Sequence, residues 1–523
     1  MSSSLAANTT PRRGAIAALI AAFLGWLFDG FEMGLFPLIG KPALQDLLPD
    51  ATPIIQGQWF TVIIAVFLVG AATGGVLFGW LGDKLGRVKA MALAIFTYAI
   101  FTGLCAFVTE AWQFAGLRFV ASLGMGGEWS LGVALVNEIW AGRNRVWIAG
   151  MIGAASNIGF LLTGVLSINL NASLETVTAW MGSWGLSQQT AEFMLHNRAW
   201  RFIAVSGALP AVLNIFILIF VPESEKWKAE KKSGATSHWV TADLLGVLIA
   251  CLAAIGIIYI WSPMANVDST IAGLLTLVGL VIALWGYLLP VRRYMTRAHA
   301  SSSEATRSGT PVTETRSAIM RNLLVGAGIA SVALMGTWGS TQQAARWASD
   351  LAPAGSNLPV IDWVVMATAL GAILSTLLTP LLADKLGRRV TYTLLCAGSM
   401  GIAVVFFQFS KPFLGESIPN SLIVSAFLLG GITSSFYGFF PLYFPELFPT
   451  SVRATGQGFC FNFGRLIAAI GALQLGNLMG LFAGDKVTAL QASANAYTVL
   501  SCVYVIGMIL IWFGPETKGK ALH

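Results

Sequence analysis

The sequence predicts an all-α polytopic membrane protein of fourteen spans: two six-helix halves with an extra transmembrane pair between them. Three observations carry this. Of 523 residues 56% are hydrophobic and 11% charged, with a mean hydropathy of +0.73, a balance that soluble globular chains of this length do not show. Apolar stretches recur at the length, about 20 residues, that a helix needs to cross roughly 30 Å of hydrocarbon. One segment also appears twice. GWLGDKLGRVKA at 79–90 and PLLADKLGRRVT at 380–391 align Asp83 with Asp384, Gly86 with Gly387 and Arg87 with Arg388 at a constant offset of 301.

In chain order, the first helix is expected near 14–37, after a basic start. Its apolar run continues for about 25 residues without a small-residue cleavage site, so it reads as a retained helix rather than a signal peptide. Apolar windows at 59–81, 90–109, 112–140, 146–170 and 200–221 complete the first half, residues 1–221. Residues 222–320 hold cytoplasmic linkers and a transmembrane hairpin at 243–289, with helices at 243–262 and 269–289. Within that stretch, SSSEATRSGTPVTETR at 301–316 has no apolar periodicity and is expected to be a flexible connector. Windows at 321–344, 361–382, 390–409, 420–444, 456–480 and 494–514 form the second half, residues 321–514, before a tail at 515–523. The 171–199 outer segment is the longest external one and carries no readable motif.

Charge sets the orientation. With the N-terminus inside, 23 of the 31 Lys and Arg residues fall in cytoplasmic segments, six fall outside, and two lie within spans. The positive-inside rule then places both termini in the cytoplasm of a cell inner (plasma) membrane. The net charge of +7 is this asymmetry, with the anionic inner leaflet as its counterpart, and gives no evidence for nucleic acid. Cys105, Cys251, Cys396, Cys460 and Cys502 lie in apolar runs without paired or metal-ligand spacing, so no disulfide framework or metal site is implied. No G-x-x-x-x-G-K, H-E-x-x-H or C-x-x-C motif and no nucleophile elbow occurs in context, which argues against an ATP-driven pump or a membrane enzyme, and no cofactor is expected.

Several motifs carry a family resemblance. DKLGR between the second and third helices of each half resembles the loop signature of the major facilitator superfamily. VPESEKW after the sixth helix and PETKG at 515–519 resemble its sugar-porter branch. DGFE in the first helix, RFVASLGMGGEW at 118–129, PESEKWK at 222–228 and RATGQGFCFNFG at 453–464 resemble the sialate and carboxylate proton symporters. Bacterial sialic acid transporters of that group also insert two helices between the halves. The resemblance covers nearly the whole chain and implies two parallel six-helix repeats that rock about a central site. It also implies a latch role for Asp83, Gly86, Arg87, Asp384, Gly387 and Arg388; a plain topological anchor is the alternative.

Charged residues inside the spans are the candidate functional groups, because a carboxylate at mid-helix costs about 2.5–3.5 kcal/mol on insertion scales. Asp29 and Glu32, at i and i+3, lie on one face of the first helix. Two acids in one poorly hydrated cavity do not both ionise easily, so the pair is suited to taking up and releasing a proton. A cavity-lining acid that never titrates is the alternative. The family usually shows an acid at the Asp29 position and commonly Asp where this chain has Glu32. Arg118 and Glu128 share the fourth helix about 80° apart in rotation and about 15 Å apart along the axis, so they cannot pair with each other. Arg118 is expected to partner Asp29 or Glu32, to contact substrate, or to snorkel outward. Glu128, beside Gly124, Gly126 and Gly127, is expected to handle protons or make a structural hydrogen bond.

Arg465 lies about nine residues into the thirteenth helix, which contains no acid, so its charge needs a partner from another helix or from the substrate. A guanidinium grips a carboxylate with two parallel hydrogen bonds and does not exchange protons with it. Organic-anion carriers of the family often have a basic residue in the matching helix. A fixed ion pair between the halves is the alternative. Gln342, Gln343, Asn157 and Asn462 are candidate substrate contacts, and Trp338, Phe461, Tyr437 and Tyr443 candidate aromatic walls.

The sequence thus predicts a secondary transporter, working as a monomer, that takes up a small, anionic organic acid together with protons. A proton-coupled sugar or polyol symporter on the same fold is the alternative, and a non-transporting nutrient sensor a further one.

Overall fold

The computed structural model describes residues 12–139, 145–223, 228, 241–306, 316–353, 356, 358–414, 417–448, 453–483 and 487–519. In the first half, α1 spans Arg12–Leu47, α2 Pro53–Leu85, α3 Arg87–Leu104, α4 Ala111–Ile139 and α5 Arg145–Ala172. A short outer helix α6, Leu174–Ser183, precedes α7, Gln188–Ser206, and α8, Pro210–Phe220. The 171–199 segment is therefore mostly helical. The hairpin is α9, Thr241–Ile260, and α10, Ser269–Thr306. The second half holds α11 Arg316–Gly339, α12 Ala344–Asp350, α13 Val360–Leu386, α14 Arg388–Phe409, α15 Asn420–Ser434, α16 Phe436–Tyr443, α17 Arg453–Leu473, α18 Leu475–Phe482, α19 Ala489–Ser501 and α20 Val503–Leu510.

Local chemistry sets the helix ends. Thr52 caps α2, its hydroxyl accepting the Ile55 N–H at 3.4 Å, and Pro53 occupies the first turn where its missing N–H costs nothing. Gly86 (φ 112°) and Gly387 (φ 91°) end α2 and α13 in a backbone region that side-chain-bearing residues rarely adopt. Helix α7 breaks between His196 and Ala199, with Asn197, Arg198 and Ala199 at φ 44°, 64° and 54°. The Asn197 side chain holds the break by donating to the Pro42 carbonyl at 2.7 Å.

Among the described residues twelve helices are long and apolar enough to cross a membrane. The two of the expected fourteen that are not among them are α4, which carries Arg118 and Glu128, and α9, whose apolar part Leu244–Ile260 is short. The expected flexible connector begins later than the sequence suggested. Helix α10 continues to Thr306, because Ser and Glu do not stop an established helix and no Gly or Pro lies between Pro290 and Gly309; residues 307–315 lie outside the described ones.

Close helix contacts build each half. Gly74 lies against the Leu123 backbone and Gly126 against that of Ala71, locking α2 onto α4, while Gly430 meets Thr368 and Gly371 meets Phe427 between α15 and α13. The halves meet along two seams, α5 on α13 and α2 on α17. The hairpin packs on the outer side of the second seam, mainly against α2, where Tyr287 and Thr73 hydroxyls lie 2.7 Å apart. Leu252, Leu277 and Val281 of the hairpin are exposed, as a lipid-facing surface requires.

A hairpin that crosses the bilayer exposes its tip on the side opposite the chain ends. Asn266→Cys, in a chain with its five native cysteines replaced, is expected to react with an impermeant maleimide from the outside. Labelling from the cytoplasmic side alone would reject the transmembrane hairpin.

Candidate functional site

A cavity of about 100 Å³ lies at the centre of the molecule, between the halves. That is several times the roughly 10–15 Å³ a single water requires. Helices α1 and α5 of the first half contribute Trp26, Asp29, Ser156, Asn157 and Phe160. The second half contributes Thr337, Trp338, Thr341, Gln342, Thr368, Ser434, Tyr437, Phe440, Phe461 and Arg465. Aromatic rings thus wall a space whose polar groups are one carboxyl, one guanidinium, two side-chain amides and several hydroxyls.

Asp29 reaches this cavity because Gly30 and Gly159 let α1 and α5 approach backbone to backbone, Gly30 against Ser156 and Gly159 against Leu27. Its Oδ1 is buried and has no hydrogen-bond partner among the described residues. Across the cavity, Arg465 is 5% exposed. Its Nη1 donates weakly to the Ala71 carbonyl at 3.4 Å and to Asn462 Oδ1 at 3.3 Å, and the guanidinium lies 4.8 Å from the Phe461 ring centre. No carboxylate stands within ion-pair distance of it among the described residues. Asp29 is nonetheless within its electrostatic reach. The cavity therefore holds a carboxyl and a guanidinium on opposite halves, with no ion pair between them.

The other intramembrane charges are placed differently. Glu32 does not share the cavity with Asp29. It turns into the first half, forms an ion pair with Arg118, and accepts from Thr102 Oγ1 at 3.0 Å. Arg118 is likewise absent from the cavity wall; it is 2% exposed and lies between the Phe67 and Phe36 rings, 4.6 and 5.6 Å away. It is too buried to snorkel, and it lines a smaller pocket shared with Trp338 and Gln342. Glu128 sits behind Asp29, where Gly25 of α1 leaves room for its carboxyl, and both its oxygens lack hydrogen-bond partners among the described residues.

The amides divide too. Gln342 and Asn157 line the cavity, and the Asn157 amide donates back to Gly153 at 2.8 Å, leaving its oxygen for the cavity. Gln343, one step further round a 3₁₀ turn, is fully buried away from it, and Asn462 supports Arg465 from behind. Of the aromatic candidates Trp338, Phe461 and Tyr437 line the cavity. Tyr443 does not; its hydroxyl donates to the Pro515 carbonyl at 2.8 Å. Sequence reasoning missed Trp26, whose indole N–H is buried without a partner among the described residues. A tryptophan one turn before an intramembrane acid was the available signal.

The repeated turns are built alike. Glu223 accepts the Arg87 and Val88 N–H groups at 2.8 and 3.2 Å at the start of α3, and Glu516 accepts those of Arg388 and Arg389 at 3.0 and 3.1 Å at the start of α14. A carboxylate there complements the positive helix end. Partial burial works to raise the Glu516 carboxyl, but the N–H groups of Arg388, Lys518 and Arg389 hold it below the usual carboxylate range. A Cβ on Gly387 would come within 2.9 Å of the Glu516 carboxylate, and one on Gly86 would strike that of Glu223. Arg388 grips Glu446 through two hydrogen bonds of 2.9 and 2.8 Å and lies 3.8 Å from Asp384. The Asp83 side chain lies outside the described residues. At the end opposite these turns two ion pairs join the halves, Lys41–Asp350 at 2.8 Å and Arg198–Asp362.

Two helical halves around a polar cavity, with charged turns at one end and ion pairs at the other, define a membrane transporter rather than an enzyme. The chain matches the sugar (and other) transporter family over residues 17–259 and 350–523 and belongs to that family, within the major facilitator superfamily. It is 22% identical over 461 residues to a cis,cis-muconate transport protein of Acinetobacter baylyi, covering 88% of this chain and 87% of that one. It is 29% identical over 215 residues to the sialic acid transporter NanX of Escherichia coli, covering 41% and 45%. The fold resembles that of the proton:xylose symporter XylE of E. coli, with a TM-score of 0.62, 16% identity and 98% of each chain covered.

The Glu32–Arg118 pair yields a stability test. Arg118→Gln strands a buried carboxylate and is expected to cost about 3–5 kcal/mol, whereas Glu32→Gln/Arg118→Gln, which removes both charges, should recover much of that loss. Thermal unfolding of the purified protein in detergent reads both. Equal losses in the single and double variants would contradict the pairing.

Proposed function

We propose that this protein is a proton-coupled symporter that takes up a small organic acid by alternating access. The observation carrying this reading is Arg465, a buried guanidinium in the central cavity with no ion-paired carboxylate among the described residues. Leaving such a charge uncompensated is costly, and a substrate carboxylate supplies the missing partner through charge-assisted hydrogen bonds. Trp338, Phe461 and Phe440 provide apolar area for the rest of the substrate, and Gln342, Asn157 and Thr337 hydrogen-bonding groups for its hydroxyls or amides. Sialic acid and cis,cis-muconate, named for two similar proteins, are both carboxylates.

Asp29 takes the coupling proton in this reading, with Glu128 behind it as a second site. Glu32 is a fixed counter-ion to Arg118 rather than a carrier. Protonation of Asp29 and arrival of an anion at Arg465 together leave the cavity neutral, which is the condition for the halves to rock with their load. The protein acts as a monomer in the inner membrane with both termini cytoplasmic and fourteen spans, α4 and α9 included. The DKLGR turns serve as conformational latches. A sugar or polyol is the second reading, favoured by the amides and hydroxyls around the cavity.

Uptake by proteoliposomes under an imposed proton gradient separates the two readings. Sialic acid or cis,cis-muconate is expected to accumulate, with loss of accumulation when the gradient is collapsed; accumulation of D-xylose alone would favour the sugar. For the accepted acid, Arg465→Lys should weaken binding by about 1.5–3 kcal/mol while scarcely changing competition by the corresponding amide. Equal losses for acid and amide would remove Arg465 as the anchor.

Asp29→Asn is expected to abolish accumulation against a gradient and retain substrate exchange, since the amide stands in for the protonated acid. Unchanged proton-driven accumulation would exclude Asp29 as the carrier.

A further inference from the structure

A second concave site lies far from the cavity, at the end of the molecule that holds both chain termini. It is a groove of about 940 Å³ between α10 of the hairpin, the start of α11 and the end of α20. Its walls have two chemistries arranged by depth. Leu288, Leu324 and Leu510 belong to stretches long and apolar enough to cross a membrane. Arg292 lies one turn beyond Leu288, about 6 Å further along its helix, and Arg321 sits in the turn before Leu324. Both arginines are exposed, and Arg321 makes no ion pair among the described residues.

Two guanidiniums at headgroup level above an apolar slot fit a molecule with an anionic head and acyl chains. We propose that this groove binds an anionic phospholipid of the cytoplasmic leaflet, its phosphate held by Arg292 and Arg321 and its chains laid against Leu288, Leu324, Leu510 and Phe513. The leaflet follows from the basic asymmetry of the sequence. Charge and depth together set the class: a soluble anion has no use for the apolar slot, and a neutral lipid none for the arginines.

The groove also joins two bodies. Helix α10 is fastened to the first half by the 2.7 Å contact between Tyr287 and Thr73 hydroxyls, whereas α11 and α20 belong to the second half. A lipid seated there bridges the hairpin to the half it otherwise barely touches.

Native mass spectrometry of the full-length protein in detergent, titrated with phosphatidylglycerol or phosphatidylcholine of matched chains, tests the site. The wild type is expected to prefer phosphatidylglycerol by about tenfold or more. Arg292→Gln/Arg321→Gln should largely abolish the preference, and Leu324→Trp, which fills the slot without changing charge, should weaken both lipids. Lys89→Gln/Lys385→Gln, which removes equal charge from the same end elsewhere, should keep the preference. The proposal is overturned if the arginine variant retains the preference, if the lysine variant loses it equally, or if inorganic phosphate displaces phosphatidylglycerol at matched concentration.

Discussion

A charge buried in hydrocarbon must find a partner, and in this molecule that requirement arranges the centre. Glu32 and Arg118 satisfy it locally, closing on each other inside the first half with Thr102 and two aromatic rings around them. Arg465 and Asp29 do not. They lie on helices of different halves, face the same cavity, and have only weak or absent hydrogen bonds to protein groups. A pair locked in contact would hold the halves in one arrangement. A pair held apart by a cavity leaves room for a ligand between them.

The polar contacts within each half differ in kind from those between the halves. Carboxylates capping α3 and α14 and the Arg388–Glu446 grip join residues within one half, whereas glycine contacts occur both within halves and between them, Gly150 and Gly153 of α5 lying against Thr376 of α13. Contacts between halves include two ion pairs at the end opposite the repeated turns, a hydrogen bond from Lys41 to Ser349, a long one from Arg465 to Ala71, and the packed seams. Lys41 and Asp350 are partly exposed, and exposed ion pairs are generally worth no more than about 1 kcal/mol. The Arg198–Asp362 pair differs, since the Asp362 side chain is fully buried.

The sequence made the architecture legible because hydropathy and the DKLGR repeat are local signals, and a transmembrane helix is the simplest way to satisfy its own backbone in lipid. It also found Asp29 and Arg465, since an ionisable residue in an apolar run is conspicuous. It did not show which charge pairs with which. Spacing i, i+3 leaves Asp29 and Glu32 about 60° apart around α1. That is enough for one to face the cavity and the other Arg118, a choice made by the packing of α1 against α3, α4 and α5. The same reason separates Gln342 from Gln343. Ser156 and Thr337 were hidden because serine and threonine are unremarkable in a membrane helix until the neighbours are known.

Partner choice has a consequence for coupling. If Glu32 and Asp29 shared one site, either could carry a proton and Arg118 would be a neighbour that tunes both. With Glu32 held by Arg118, the positive charge facing Asp29 is that of Arg465, on the other half. In the proposed reading, proton occupancy on one half and anion occupancy on the other are sensed through a single electrostatic contact across the cavity. Loading one site alone leaves an unbalanced charge between the halves. Loading both removes it, so under the proposed function the two cargoes are tied together without having to touch.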